Sequence, residues 1–282
     1  ETVVTLVKIA ILLVFAAFGA FAVETENFTP FFEESALRLL PAMGLTFIAF
    51  EGYDLIATVT EEVKDPEQTI PKAIFYSLGA TVAIYVVVVA VAVGTVGAER
   101  LGGAGETAIA SAAASFMPAI PGLGVGGGAL VAFGAVFSTM SALNAVVLAS
   151  SRVAFAMGRQ DHLPGGVGRL HPQFGTPLRA VAASAAVVVV AVVAVPIREI
   201  GNLSSLFFLL SFVVVNASVI RLRRRRPNLS RPYELPFYPV APVLGIVLNL
   251  VLSAFIDPEI WGMGLAWLAL GGIVYLLLAR GE

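Results

Sequence analysis

The sequence contains no cysteine and only two histidines among its 282 residues, and charged residues make up 13% of it. The lack of cysteine excludes disulfides, thiolate nucleophiles and cysteine-ligated zinc or iron–sulfur sites. His162 and His171 lie in a polar stretch, and the HExxH pattern of zinc hydrolases does not occur. The GK[ST] ending of a phosphate-binding loop is also missing. We therefore expect no cofactor.

Apolar residues make up 58% of the chain, and the mean hydropathy is +0.92. Soluble domains are about half apolar and about a quarter charged, so this composition indicates a membrane protein. A membrane-spanning helix needs roughly 20 largely apolar residues. Eight segments meet this requirement: residues 2–23, 36–60, 73–97, 128–157, 178–197, 202–220, 239–256 and 260–279. Their long runs do not alternate as barrel strands would, so we predict an all-α polytopic membrane protein with about eight transmembrane helices.

Lysine and arginine are concentrated in three of the connections between these segments, at residues 61–72, 158–177 and 221–238. Positive residues stay on the cytoplasmic side, so we predict that these connections and both chain ends are cytoplasmic in a multi-pass protein of the cell membrane. The arginine-rich run in the last connection follows from the same rule, with contact to lipid headgroups as the alternative. As partners of the protein we expect the lipid bilayer and no nucleic acid. In the connection at residues 61–72 we expect a short turn in which Pro66 and Pro71 end helices.

The second predicted span contains two carboxylates. The stretch FIAFEGYDLIATV, residues 47–59, places Glu51 and Asp54 near the middle of this span. A charge at a helix centre costs about 2.5–3.5 kcal/mol on insertion scales, so both residues must face protein or water. Gly52 between them favours an interrupted helix, whose freed backbone groups can hold a ligand at the membrane midplane. We predict an interruption of the α-helical hydrogen-bond ladder within residues 49–54; structural pairing of the two charges with neighbouring helices is the alternative.

Three stretches resemble the amino acid–polyamine–organocation (APC) superfamily of transporters. FIAFEGYDLIATVTEEVKDPEQTIPKAI, residues 47–74, is similar to the sixth transmembrane segment of that family and the loop after it. LNAVVLASSRVAFAMGRQDHLPGGVGRLHPQFGTP, residues 143–177, resembles the eighth segment and its loop, and RPYELPFYPVAPVLG, residues 231–245, resembles the start of the eleventh. The stretches occur in the order of the family, so the resemblance covers essentially the whole chain.

The resemblance implies a fold of two inverted repeats of five helices, with the substrate held between broken first and sixth helices. On this alignment residues 1–282 form a single transmembrane transporter domain that starts at the fifth segment. We therefore expect the four N-terminal helices of the family to precede Glu1. Residues 36–222 then correspond to the second inverted repeat. Because half of the substrate site would lie upstream, we expect no concentrative transport by residues 1–282 alone.

The resemblance also implies roles for individual residues. The substrate-binding positions are Ile48, Ala49, Phe50, Glu51, Gly52 and Tyr53. Backbone groups at residues 49–51 would face the amino group of the substrate, and Ile48 stands where the family often has an aromatic gate. Asp54 matches an often acidic position that has been considered for proton coupling. Glu51 is a second candidate for that role.

Lys8, in the first predicted span, is a third proton-coupling candidate. In similar family members a lysine of the fifth segment replaces the sodium ion of sodium-coupled relatives; alternatively, Lys8 extends its ammonium to the cytoplasmic interface. Ser138, Thr139 and Ser141 lie in the segment that supplies hydroxyl ligands for sodium in such relatives, and oxygen suits hard cations. Their helix also carries a ridge of small residues typical of close packing. We expect a coupling proton rather than sodium, and no resident metal.

Together these observations predict a secondary active transporter, a permease for an amino acid or amine that works by alternating access as a symporter or antiporter. A channel is the first alternative, although nothing in the sequence signals the rings of identical groups from several subunits that channels show. A non-transporting membrane scaffold subunit is the second, in which Glu51 and Asp54 would only pair with neighbours. No nucleophile–base pair or metal cluster in the sequence indicates an enzyme.

Overall fold

A computed structural model describes residues 2–30, 39–119, 124–231 and 233–279, and these residues form helices without strands. The α-helices of this part of the chain are α1 (Thr2–Ala20), α2 (Leu39–Thr46), α3 (Pro66–Val96), α4 (Ala98–Ala104), α5 (Ala108–Phe116), α6 (Gly127–Arg159), α7 (Leu178–Ala194), α8 (Ile197–Arg225), α9 (Val240–Ala254) and α10 (Pro258–Ala279). Short 3₁₀ helices lie between them, at Thr25–Phe28, Phe47–Phe50, Asp54–Glu62 and Gly105–Thr107.

Six described segments are long and apolar enough to cross a membrane: α1, the segment Leu39–Ala57, α3, α6, α8 and α10. The apolar helices α7 and α9 are shorter, with 17 and 15 residues. Each of the eight predicted segments overlaps one of these elements, so the predicted all-α polytopic architecture is confirmed. Large apolar side chains remain exposed along the spans, Val193 at 82% and Leu277 at 67%, as a surface facing lipid requires.

Proline marks the start of five helices. Pro66 and Pro258 are the first residues of α3 and α10, and Pro177, Pro196 and Pro239 come directly before α7, α8 and α9. Proline suits these positions because its φ angle is already helical and the first turn has no intrahelical acceptor for the N–H that proline lacks.

The start of α3 corrects the prediction for the connection after the second span. The carbonyl of Asp65 accepts hydrogen bonds from the N–H groups of Gln68 (3.1 Å) and Thr69 (3.0 Å), which closes the first turn. Pro66 therefore begins a helix, and Pro71 lies inside it. The prediction that both prolines end helices is wrong, because polar residues form the first turns of α3 and carry no apolar signal.

The described contacts divide the chain into two compact units: residues 1–35 with 76–146, and residues 36–75 with 147–282. The first unit contains α1, α4 and α5 with the larger parts of α3 and α6. The second contains α2, the 3₁₀ segments after it, and α7 to α10. The single transporter domain predicted for residues 1–282 stays a prediction.

The core of the first unit forms where α1, α3, α5 and α6 meet. Phe15 of α1 has no exposed surface, and its ring meets that of Phe116 edge-on, with 5.2 Å between the centroids. Ala113 of α5 is also fully buried. The connection between the third and fourth spans thus contributes a helix to this core, a role that its sequence did not predict.

The core of the second unit forms between α8 and the junction of α9 and α10. Leu206 and Leu209 of α8 are almost fully buried against Ile256 and Ile260. Phe47, from the second predicted span, packs against this cluster. The middle of that span is therefore anchored to the core of its own unit.

Candidate functional site

The helix of the second span is interrupted in its middle. α2 ends at Thr46, a 3₁₀ helix covers Phe47–Phe50, and a second 3₁₀ helix runs over Asp54–Glu62. Residues 51–53 between them form a turn. The predicted interruption within residues 49–54 is confirmed. The α-helical ladder ends earlier than the glycine suggested, and both flanking segments are 3₁₀ rather than α-helical.

Backbone angles rather than lack of space explain the glycine in this turn. Glu51 is extended, with φ −74° and ψ 162°. Gly52 then takes φ +111°, a region that residues with a Cβ rarely enter. A Cβ on Gly52 would meet no described atom within 4 Å, so only the backbone angle demands glycine here.

Asp54 holds the turn closed. Its Oδ1 accepts a hydrogen bond from the backbone N–H of Gly52, at 3.0 Å. Asp54 is also the first residue of the second 3₁₀ helix, where a negative charge interacts favourably with the exposed N–H groups of a helix start. The carboxylate therefore has a local structural partner.

Glu51 has a different environment. Its Oε1 is buried, and no hydrogen bond from any described residue reaches this atom. The N–H of Glu51 donates to the carbonyl of Ile48 at 3.1 Å, which ties its backbone to the first 3₁₀ segment. A buried carboxylate oxygen without a partner is costly, so it provides an acceptor for a ligand that carries N–H groups.

The ring of Phe212 from α8 contacts aromatic side chains on both sides of the turn. The ring of Tyr53 stacks on that of Phe212, with centroids 5.9 Å apart and planes 9° apart. Phe47 meets the same ring edge-on at 6.1 Å, and Phe208 lies 6.3 Å from it. Tyr53 therefore packs its ring against α8 beside the turn, whereas the side chain of Ile48 is 37% exposed.

Ser205 of α8 is a contact residue that the sequence did not reveal. Its side chain has no exposed surface. The N–H of Ile48 donates to Ser205 Oγ at 3.2 Å, and Oγ donates to the carbonyl of Leu45 at 3.4 Å. Serine occurs throughout membrane helices, and the partners of this one lie 157 and 160 residues away in sequence, so no local pattern indicated the contact.

Lys8 lines a cavity of about 200 Å³ in the first unit. The cavity lies between α1, α5 and α6, and Ser138 and Gly134 of α6 also line it. The structure thus brings one predicted proton-coupling residue and one weak sodium-site candidate to the same space. A Cβ on Gly134 would lie 2.9 Å from Ile11 Cδ1, so the missing side chain permits this close approach of α6 to α1.

The two other hydroxyl candidates are placed differently. Thr139 donates its hydroxyl hydrogen to the carbonyls of its own helix, at 3.1 Å from Ala135 O and 2.9 Å from Val136 O. Thr139 and Ser141 are not among the described residues that line the Lys8 cavity. Only one of the three hydroxyls predicted as weak sodium ligands therefore faces it. Within the described ranges, no group of three or more His, Cys, Asp or Glu side chains could hold a metal ion.

Part of the arginine-rich run has local partners. The guanidinium of Arg231 donates to the carbonyls of Pro227 (3.0 Å) and Arg226 (2.7 Å). The guanidinium of Arg223 lies 4.4 Å from the ring centroid of Tyr238, within the range of a cation–π interaction. These arginines thus help to shape the connection that follows α8.

Comparison with known proteins gives consistent matches along the chain. The branched-chain amino acid permease of Bacillus subtilis (strain 168) is 28% identical over 99% of this chain and 59% of its own length. The methylthioribose transporter of the same organism is 27% identical, again over 99% and 59%. Its serine/threonine exchanger is 28% identical over 87% of this chain and 56% of that protein. By name these relatives are transporters, not enzymes, and the chain spans 59% of the length of the first two.

A sequence model of the family described as Amino acid permease matches residues 1–279. This match covers nearly the whole chain and agrees with the resemblance to the APC superfamily drawn from the three motifs. The chain belongs to the amino acid permease family.

Proposed function

We propose that the protein containing this chain is a secondary active transporter that moves an amino acid or related amine by alternating access. The observation that carries the proposal is the interrupted second span, with Glu51 and Asp54 at the interruption. Charges inside a membrane span are rare and mark substrate or ion pathways. Transporters place their substrate at such interruptions because the freed backbone groups can bind it there.

The turn offers groups suited to an ammonium. The backbone becomes extended at Glu51, directly after the first 3₁₀ segment, and Glu51 Oε1 is a buried acceptor without a partner among the described residues. An ammonium group donates up to three hydrogen bonds and would satisfy that oxygen. We assign substrate binding to residues 48–53, with backbone groups at residues 49–51 and the carboxylate of Glu51 facing the amine, and Tyr53 forming the wall.

The names of the relatives support the substrate class. Two of them are named for branched-chain amino acids and for serine and threonine, which all carry an ammonium and a carboxylate. A third is named for methylthioribose, a sugar without an amino group. An ammonium-binding role of Glu51 therefore favours an amino acid or amine over a sugar for this chain.

We propose a proton, not sodium, as the coupling ion. Asp54, Glu51 and Lys8 are groups able to bind or release a proton within the spans. The Lys8 cavity supports this choice, because the positive ammonium of a lysine would repel a sodium ion bound beside Ser138. Two of the three hydroxyl candidates lie away from that cavity, which further weakens the case for sodium.

The proposal includes placement in the cell membrane with both ends of this chain in the cytoplasm, following the lysine and arginine distribution. It also includes residues 36–222 as the second of two inverted repeats. In this proposal the second repeat holds its part of the substrate at the turn formed by residues 51–53.

The test is uptake by the full natural protein, expressed with any sequence that flanks residues 1–282 in its gene and reconstituted into lipid vesicles. We expect saturable uptake of radiolabelled L-leucine, L-valine, L-serine or L-threonine, increased by an inward proton gradient and abolished by a protonophore. Methylthioribose serves as the amine-free control. Uptake driven by a sodium gradient alone would contradict proton coupling, and ion conductance without saturable uptake would favour a channel.

A further inference from the structure

The hydroxyl of Ser205 forms hydrogen bonds with two backbone groups of the interrupted span. Leu45 is one of the last four residues of α2. The carbonyls of the last four residues of an α-helix accept no hydrogen bond from an N–H of the same helix. Ile48 lies three residues further on, in the first 3₁₀ segment. In a 3₁₀ helix the carbonyl and the N–H of such a pair bond to each other directly. Here Ser205 Oγ bonds to both, donating to the carbonyl and accepting from the N–H.

Burial makes this contact consequential. Ser205 is fully buried on a helix whose neighbouring positions Leu206 and Leu209 form the core of the second unit. A hydroxyl in such surroundings needs hydrogen-bond partners, because no water is at hand to replace them. The backbone of the interrupted span supplies them. Any movement that separates Leu45 and Ile48 from α8 would break both hydrogen bonds of this hydroxyl at the same time.

One face of α8 contacts the interruption on both sides. Ser205, Phe208 and Phe212 follow a spacing of three and seven residues, which places them on one side of an α-helix. Phe212 packs against Phe47 before the turn and Tyr53 after it. The aromatic contacts would persist if the second span shifted slightly along α8. The hydrogen bonds of the Ser205 hydroxyl are directional, so they fix the position of the interruption along α8.

We propose that Ser205 is a positioning residue that holds residues 45–48 against α8 and thereby sets the backbone geometry of the binding turn. The inference rests on the proposed substrate binding at residues 48–53. Ser205 acts through the N–H of Ile48 and the carbonyl of Leu45, and it stabilises the 3₁₀ start of the interruption over a continued α-helix.

The experiment compares three variants of the full natural protein in lipid nanodiscs. Ser205→Ala removes the hydroxyl, and Ser205→Cys fills the same space with a sulfur that bonds weakly. Ser204→Ala is the matched control, because this neighbouring serine of α8 is not fully buried. Amide hydrogen exchange of the peptides covering residues 44–56 is measured first, and L-leucine uptake is measured with the same preparations in vesicles.

We expect exchange at residues 44–56 to become about tenfold faster in both Ser205 variants, because the two hydrogen bonds of the hydroxyl are lost or weakened, and to stay unchanged in Ser204→Ala. The KM for L-leucine should rise by about the same factor while the maximal rate changes less, since the turn loses its binding geometry. An effect of Ser205→Ala that Ser205→Cys does not share would assign the result to a small void and overturn the proposal. So would unchanged exchange, or faster exchange with an unchanged KM.

The two proposals fail separately. If the unaltered protein shows no saturable uptake of L-leucine or the other three amino acids, the proposed function fails before any variant is compared, and Ser205 loses its positioning role with it. If the unaltered protein transports L-leucine and the Ser205 variants do so with the same KM, only the role of Ser205 is overturned.

Discussion

Asp54 and Gly52 are joined across the turn of the second span by a hydrogen bond of 3.0 Å from the Gly52 N–H to Asp54 Oδ1. The bond needs an acceptor oxygen at residue 54 and does not require a charge. The structural role and the proposed proton-coupling role of Asp54 can therefore be separated by substitution, since asparagine keeps the oxygen and alanine removes it.

Asp54→Asn should leave the turn intact and change the response of transport to pH. We expect a melting temperature close to that of the unaltered protein and L-leucine uptake that no longer rises when the external medium is acidified. Asp54→Ala should lose both the pH response and stability, because the Gly52 N–H loses its acceptor. Unchanged pH dependence in Asp54→Asn would leave the carboxylate with a structural role alone.

Gly52→Ala should destabilise the turn through backbone strain without a clash. The φ of +111° costs a residue with a Cβ about 1–3 kcal/mol. Gly52→Leu should impair substrate binding and transport rate more strongly, since a large side chain enters the proposed site. The measurements are the thermal unfolding midpoint and the KM and maximal rate of uptake.

Gly79→Ala is the matched control for Gly52→Ala. A Cβ on Gly79 also meets no described atom within 4 Å, but Gly79 lies inside α3 with an ordinary helical φ. Alanine should stabilise that helix by about 0.5–1 kcal/mol. Equal effects of the two substitutions would contradict a special backbone requirement at Gly52.

Lys8→Arg tests whether the lysine releases a proton or only carries charge. Arginine keeps the positive charge and can reach the interface, but it does not deprotonate in proteins. We expect Lys8→Arg to abolish proton-driven uptake of L-leucine while exchange of internal for external L-leucine persists. Lys72→Arg, at an exposed position of α3, should change neither activity. Full proton-driven uptake by Lys8→Arg would show that Lys8 acts as an interfacial anchor.

The predicted membrane orientation can be tested with single cysteines, because the chain has no cysteine of its own. Gln68, Gln160 and Asn228 are exposed and lie in the three lysine- and arginine-rich connections. Cysteines there should resist a membrane-impermeant thiol reagent added to intact cells and react after permeabilisation. Glu106 is also exposed and lies in a connection predicted to face the outside of the cell. A cysteine there should react in intact cells. The reverse pattern would invert the topology.

The spans were predictable because crossing a bilayer demands about 20 apolar residues, a signal that no local feature masks. Where a helix begins with polar residues, hydropathy does not detect its first turns, and the predicted start was wrong. The first turns of α3, from Pro66, carry charge and lie outside the apolar run, so hydropathy alone put the start too late. α5 is built largely from alanine in the long connection at residues 98–127, and its burial depends on packing against Phe15 and other residues distant in sequence.

The candidate site was predictable only in part. Glu51, Gly52 and Asp54 stand out because charge and glycine are conspicuous inside an apolar span. The bond from Gly52 to Asp54 is local, yet it depends on the φ of Gly52, which sequence does not report. Ser205 could not be found, because a buried serine differs from a lipid-facing one only through its partners.

The second 3₁₀ helix, Asp54–Glu62, has nine residues. It has fewer residues per turn and a larger rise per residue than an α-helix. With about three residues per turn, Asp54, Ala57 and Thr60 form one straight row, whereas an α-helix would rotate each step by about 60°. The hydroxyl of Thr60 donates to the carbonyl of Ala57 at 2.7 Å, within this row. The segment also extends about 18 Å instead of about 13.5 Å, so its far end lies about 4.5 Å further from the turn at residues 51–53 than the same residues would reach as an α-helix.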